Sequence, residues 1–179
     1  MTGVGSVYGE ALYTLAREEG LSETILQQLK VLDGCFAADP DFIRLLGAPN
    51  LPKAERVHIL DQSFRGKLHA YVLNFLKILT EKGYMRYFSD CVKTYRELFN
   101  QDNGILPVTA VTAVPMTDKQ KKALTMKLQS ITGKRVELVS KLDPNVLGGI
   151  RLDYDGKRVE DTVANRLDAV RNMLKNTVL

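Results

Sequence analysis

The chain has 179 residues, 45% of them hydrophobic and 26% charged, with two cysteines and no tryptophan. That composition excludes global disorder, a collagen and a disulfide-built scaffold, and no apolar run approaches the ~18–20 residues of a membrane span. Charge divides unevenly: residues 1–104 carry 12 Lys and Arg against 13 Asp and Glu, and residues 105–179 carry 13 against 8, so the excess positive charge lies in the second part.

The first part reads as helices. Val4, Tyr8, Ala11, Leu12, Leu15 and Ala16 recur at helical spacing, and Gly20 stops the run. Ser22 and Glu23 open a second stripe of Ile25, Leu29, Leu32 and Phe36. Asp39-Pro40-Asp41 breaks the chain and starts a short third segment with Phe42, Leu45 and Leu46. Pro52 opens a fourth, with Val57, Leu60 and Phe64 on one face. Leu68, Tyr71, Val72, Phe75, Leu76 and Leu79 form the cleanest stripe, closed by Lys82-Gly83. Tyr84, Phe88, Cys91, Val92, Tyr95, Leu98 and Phe99 give the sixth, and Asn100–Gly104 is a polar break. The expectation is an all-α six-helix bundle over residues 1–104.

The period then changes. Ile105 to Val114 is rich in β-branched residues and reads as a strand, with Val108, Ala110, Thr112 and Val114 on one side. Pro107 suggests an edge position or the start of that strand. Thr117-Asp118-Lys119-Gln120 is a capping box. The helix behind it turns Leu124, Leu128 and Ile131 inward and stops at Gly133. Val136, Leu138 and Leu142 alternate with polar residues as a strand, Asp143-Pro144-Asn145 turns, and Ile150, Leu152 and Tyr154 form another strand before Asp155-Gly156, a strong hairpin-turn signal. Asp161 or Thr162 caps a last helix with Val163, Leu167, Val170 and Leu174 inward. Residues 105–179 are therefore expected as a small α+β domain of order β-α-β-β-α.

Chemistry is sparse. His58 and His69 are the only histidines and no acidic residue completes a ligand pattern, so they read as surface or boundary residues. Gly148-Gly149 runs into a strand rather than a helix, which fits a bulge or a close backbone approach and not a phosphate loop. Cys35 and Cys91 lack metal-ligand spacing and read as structural thiols. Serines and threonines have no His–acid pair. No catalytic, metal or cofactor residue is expected. The basic second part would suit an acidic partner, or is simply a solvated basic surface. Nucleic acid is disfavoured, because Tyr154 is the only aromatic after Phe99 and no stacking platform exists. The apolar arc from Ala70 to Leu79 is wider than one core face requires, so part of it is expected to line a groove for an amphipathic helix.

These segments carry a resemblance. Val7-Tyr8-Gly9-Glu10-Ala11-Leu12-Tyr13-Thr14-Leu15-Ala16, Asn74–Gly83, Ala113–Gln120, Leu142-Asp143-Pro144-Asn145-Val146-Leu147-Gly148-Gly149-Ile150 and Asp161–Leu167 resemble, in order, the motifs of the delta subunit family of bacterial F-type ATP synthase, relatives of the mitochondrial oligomycin-sensitivity-conferring protein. Gly9 stands where that family usually has Ala, and Tyr84 where it usually has Arg. The resemblance implies a non-catalytic stator connector on the cytoplasmic face of the bacterial plasma membrane, touching the membrane only through its complex. It also implies that the helical domain receives N-terminal helices of alpha subunits and that the second domain meets the C-terminal helices of the b subunits. Tyr8, Leu12, Leu15, Val72, Phe75, Leu76 and Leu79 are then the expected groove residues, and Leu76→Asp is expected to abolish guest binding in a folded protein. Asp143, Pro144, Gly148, Gly149, Arg166 and Leu167 are the matching positions in the second domain.

Overall fold

The computed structural model describes residues 3–162 apart from 49, 145, 147 and 155. The chain divides into two units, Met1–Phe99 and Asn100–Leu179.

The first unit contains α1 (Gly3–Glu18), α2 (Ser22–Ala38), α3 (Pro40–Gly47), α4 (Lys53–Phe64), α5 (Ala70–Lys82), a 3-10 turn at Met85–Tyr87 and the start of α6 (Phe88–Asp102). Residues from each apolar stripe face one shared core, whose members include Leu12, Ala16, Ile25, Leu29, Leu46, Leu60, Leu76, Leu79 and Tyr95, while Leu15 and Leu45 stay exposed. Phe36 ties four helices together, with its ring 5.0 Å from Phe88, 5.8 Å from Phe42 and 6.3 Å from Phe64. Arg56 is buried and donates from Nη1 to the Leu46 carbonyl at 3.0 Å, placing a cation at the negative end of α3. Gly83 closes α5 in the left-handed region, φ 73°, which a side chain adopts only at a cost.

α1 and α6 run in the same direction and approach closely. A Cβ on Gly5 would lie 2.5 Å from the Asp90 Cβ, and one on Gly9 would lie 2.6 Å from the Cys91 carbonyl oxygen and 2.9 Å from the Thr94 Cβ. The smallness of Gly9 therefore does more than loosen the helix: it lets two backbones meet. One turn further on, Tyr13 and Tyr95 pack edge to face at 5.2 Å, and the Tyr95 hydroxyl donates to the Ser22 carbonyl at 2.9 Å. Burial pushes the Tyr95 phenol well above its ordinary pKa. Cys91 lies in the same seam; burial, with Asp90 beside it, pushes its thiol up to about 11. Cys35 is exposed on α2.

The second unit has β1 (Ile105–Thr112), α7 (Asp118–Thr132), β2 (Arg135–Leu142), β3 (Gly149–Tyr154) and β4 (Lys157–Thr162), with sheet order β2-β1-β3-β4. β1 pairs parallel with β2, and β1–β3 and β3–β4 are antiparallel. A fourth strand is added to the expected β-α-β-β-α order: Asp161 and Thr162 lie at the end of β4, with Asp161 opposite Ile150 and Thr162 opposite Gly149. The expected last helix, including Arg166 and Leu167, lies outside the described residues. Pro107 sits in a central strand and not at an edge, but near the start of that strand, the other place expected for it. At the two ends of β1 the carbonyls of Gly104 and Thr112 accept from β2, so odd-numbered residues of β1 turn their backbone groups toward β3, and among the described residues that ladder runs from Val108 to Thr112. Among the described residues the missing N–H of Pro107 thus leaves no β3 partner unsatisfied. The Thr117–Gln120 capping box is present in both directions. Leu106, Val108 and Val136 form the small core, with Leu128 of α7 packed on it. Ile131, expected inward, is 71% exposed at the end of α7.

Replacing Gly9 by Ala should destabilise the chain by about 1–3 kcal/mol, because the methyl meets backbone that cannot swing aside, although Ala is the better helix former. Equilibrium urea unfolding checks this. Asp61 of α4 pairs with Lys77 of α5 and, at 2.8 Å, with Arg65; the Lys77 ammonium, aided by Arg65, holds its carboxyl below the ordinary carboxylate range. The pair therefore stabilises the fold above the ordinary carboxylate pKa and ceases to do so as pH falls through the lowered one. Asp61→Asn should lower the melting temperature at pH 7, and the deficit should vanish under strongly acidic conditions.

Candidate functional site

An apolar recess of the first unit lies between α1 and α5. Tyr8, Ala11, Leu12 and Leu15 line one side and Tyr71, Asn74, Phe75 and Ile78 the other, around about 440 Å³. Leu12 and Phe75 are buried and form the floor. Leu15, 38% exposed, and Ile78, 45% exposed, form the walls together with half-buried Tyr8 and Tyr71. Asn74 is the one residue of the lining with an uncharged polar amide, and it sits at the rim.

The helices supply these residues because each has two apolar faces. On α1, Gly5, Gly9, Tyr13 and Ala16 turn to the core, while Tyr8, Ala11 and Leu15 lie on an adjacent face. On α5, Val72, Leu76, Leu79 and Thr80 turn inward, and Tyr71, Asn74 and Ile78 lie beside them. The start of α5 is held by His69, whose Nδ1 accepts from the Tyr71 N–H at 3.3 Å and whose own N–H donates to Gln28 Oε1 at 2.8 Å. His69 is thus a boundary residue, as expected from the sequence.

Of the seven residues expected to form a groove, the structure brings Tyr8, Leu12, Leu15 and Phe75 together there. Val72, Leu76 and Leu79 are corrected: all three are 0% exposed and belong to the core. Sequence reasoning missed Ala11, Asn74, Tyr71 and Ile78 as groove residues, although Tyr71 and Ile78 stood within the wide apolar arc that prompted the expectation. Periodicity located the arc but not its division between interior and recess.

In the second unit, Asp143 ends the crossover. Its N–H donates to the Thr112 carbonyl at 3.0 Å, and its carboxylate lies 4.0 Å from Arg151 Nη1. Pro144 is an exposed turn residue. Gly148 and Gly149 have φ of 85° and 88°, a backbone that favours glycine, and they deliver the chain into β3. Arg158 donates to Asp153 at 2.9 Å across the β3–β4 pair, and with Arg151 it holds the Asp153 carboxyl below its ordinary range. These residues shape a loop and a hairpin. Among the described residues, no group of three or more His, Cys, Asp or Glu could hold a metal ion.

The family model described as ATP synthase delta (OSCP) subunit matches residues 4–174. The chain belongs to that family. It is similar to ATP synthase subunit delta of Alkaliphilus oremlandii, 30% identical over 98% of both chains, and to that of Clostridioides difficile, 29% identical over 98% of this chain and 97% of the relative. Its fold is like that of a chain in the Toxoplasma gondii mitochondrial ATP synthase hexamer, with TM-score 0.76 at 18% identity over 97% of this chain and 98% of that one. As a delta (OSCP) subunit it is a non-catalytic, structural component of an F-type ATP synthase. Among the described residues no helix is long and apolar enough to cross a membrane.

The burial pattern predicts opposite outcomes for neighbouring substitutions. Leu76→Asp places a carboxylate in the core and should unfold the chain or destabilise it by more than about 4 kcal/mol. Ile78→Asp points into the recess and should leave the thermal unfolding midpoint nearly unchanged. Circular-dichroism melts of the two variants distinguish them.

Proposed function

We propose that this subunit is the stator connector between the catalytic head and the peripheral stalk, with the α1–α5 groove as the seat of an alpha-subunit N-terminal helix. The observation that carries this reading is the groove itself: an open apolar recess between two helices, walled by partly exposed Leu15 and Ile78, in a family of non-catalytic subunits. Its lining on α1 runs from Tyr8 to Leu15, about 10 Å or two helical turns. That span matches three anchors of a guest helix at i, i+3 or i+4, and i+7. Each buried anchor contributes roughly 1.5–3 kcal/mol before the costs of association.

In this reading the six-helix N-terminal bundle is the head-binding module and the α+β unit is the stalk-binding module, meeting the C-terminal helices of the b subunits. The basic balance of residues 105–179 favours an acidic or mixed stalk helix, and such charge sets orientation and encounter rate more than affinity. Holding head and stalk at once keeps each partner at high effective concentration, so two moderate contacts resist the torque of each turnover. The subunit then sits peripherally at the cytoplasmic face of the bacterial plasma membrane.

The test is calorimetric titration of the full chain with a peptide of the alpha-subunit N terminus. Leu15→Asp and Ile78→Asp should each weaken binding at least about tenfold, as loss of a central anchor does. Val31→Asp, at an exposed position of α2, should leave affinity unchanged. Unaltered affinity in folded Leu15→Asp and Ile78→Asp proteins would remove the groove from consideration.

A further inference from the structure

The two ends of the groove differ in charge. α1 and α5 run antiparallel: the Tyr8 ring meets Tyr84, just past the end of α5, at 5.8 Å, whereas Leu15 lies two turns away at the Tyr71 end. At the Tyr8 end, exposed Lys82 follows Ile78 by one turn. Arg86 is exposed there too, its guanidinium 4.6 Å over the Tyr87 ring, which lies 6.2 Å from Tyr84. Lys82 also lines a neighbouring recess between α4 and α5 with Lys53 and Glu81, and Asp90, packed against Gly5, is the acid on the α6 side of this end. At the Leu15 end, exposed Glu18 and Glu19 follow Leu15 by three and four residues, and the Glu19 N–H still donates to the Leu15 carbonyl. Arg17 turns away over Tyr13, and Lys67, four residues before Tyr71, donates to the Ser63 carbonyl. Among the described residues, Glu18, Glu19, Lys82 and Arg86 make no ion pair.

We infer that the groove reads the direction of its guest: it takes an amphipathic helix with acids in its first turn and bases in its last, laid parallel to α1. The guest's acidic turn then meets Lys82 and Arg86, and its basic turn meets Glu18 and Glu19. This inference rests on the groove being a helix seat. An apolar stripe at i, i+3, i+4 and i+7 fits a recess about equally well in either direction, so direction must come from the ends. A helix with acids first and bases last is also stabilised by its own dipole and arrives preformed. The full charges of its side chains outweigh the roughly half charges of the dipole termini they cover. The four protein charges lie about one turn beyond the apolar lining, so the guest spans about four turns.

The probe is a designed peptide of about four turns, capped at both ends, with leucines at i, i+3, i+4 and i+7, two Glu in the first turn and two Lys in the last. It is titrated into the full chain at low and high salt, and nitroxide-labelled versions are read by amide line broadening. A label at the peptide N terminus should broaden Ile78 and Tyr84, and one at its C terminus should broaden Leu15 and Ala16. The combined swap Glu18→Lys, Glu19→Lys, Lys82→Glu and Arg86→Glu should weaken binding about tenfold at low salt, with the loss shrinking at high salt. If that protein melts early, Arg86→Glu alone should give a smaller loss with the same salt dependence. Equal broadening of both ends, the reverse pattern, or a charge swap without effect would overturn the inference while leaving the groove, provided Ile78→Asp still weakens binding at least about tenfold. Absence of binding to the unaltered chain would overturn both.

Discussion

α1 can be seated as deeply as it is only because Gly9 has no side chain where the Cys91 carbonyl passes. That approach fixes the rotation of α1 about its own axis. With Gly5, Gly9 and Tyr13 turned to α6, the face bearing Tyr8, Ala11 and Leu15 is left beside α5, open among the described residues. A bulkier residue at Gly9 would push α1 outward and change the width of the recess. The recess thus depends on contacts on the opposite side of the helix from its own lining.

The helices were legible in the sequence because their apolar residues repeat at helical spacing over two or more turns, and because Gly20, Pro40, Pro52 and Gly83 punctuate them. The division of α5 between core and groove was not. Tyr71, Val72, Phe75, Leu76, Ile78 and Leu79 are all apolar, and hydrophobicity alone cannot say which of two adjacent faces meets a neighbour. That choice follows from the placement of α1, a tertiary fact. β4 escaped notice for the opposite reason. Lys157-Arg158-Val159-Glu160-Asp161-Thr162 has one apolar residue, so no alternation appears, and the strand is defined by its pairing with β3. Pro107 left edge and strand start open in the same way, since the choice depends on where β1 lies in the sheet.

In the second unit the sheet sorts its side chains by face. Leu106, Val108, Val136 and Leu138 share the side covered by α7, while Arg151, Asp153 and Arg158 lie on the other. The crossover from β1 through α7 to β2 is therefore the hydrophobic half of the unit, and the β3–β4 hairpin carries the ion pairs.

The contrast between the two thiols has its own outcome. Cys91 is sealed in the helix seam and kept protonated well above neutral pH, whereas Cys35 faces solvent. A thiol-directed reagent meeting the folded subunit finds the Cys35 sulfur within reach, on α2, and the Cys91 sulfur closed off. The protein can be oxidised or tagged there without its interior registering the event.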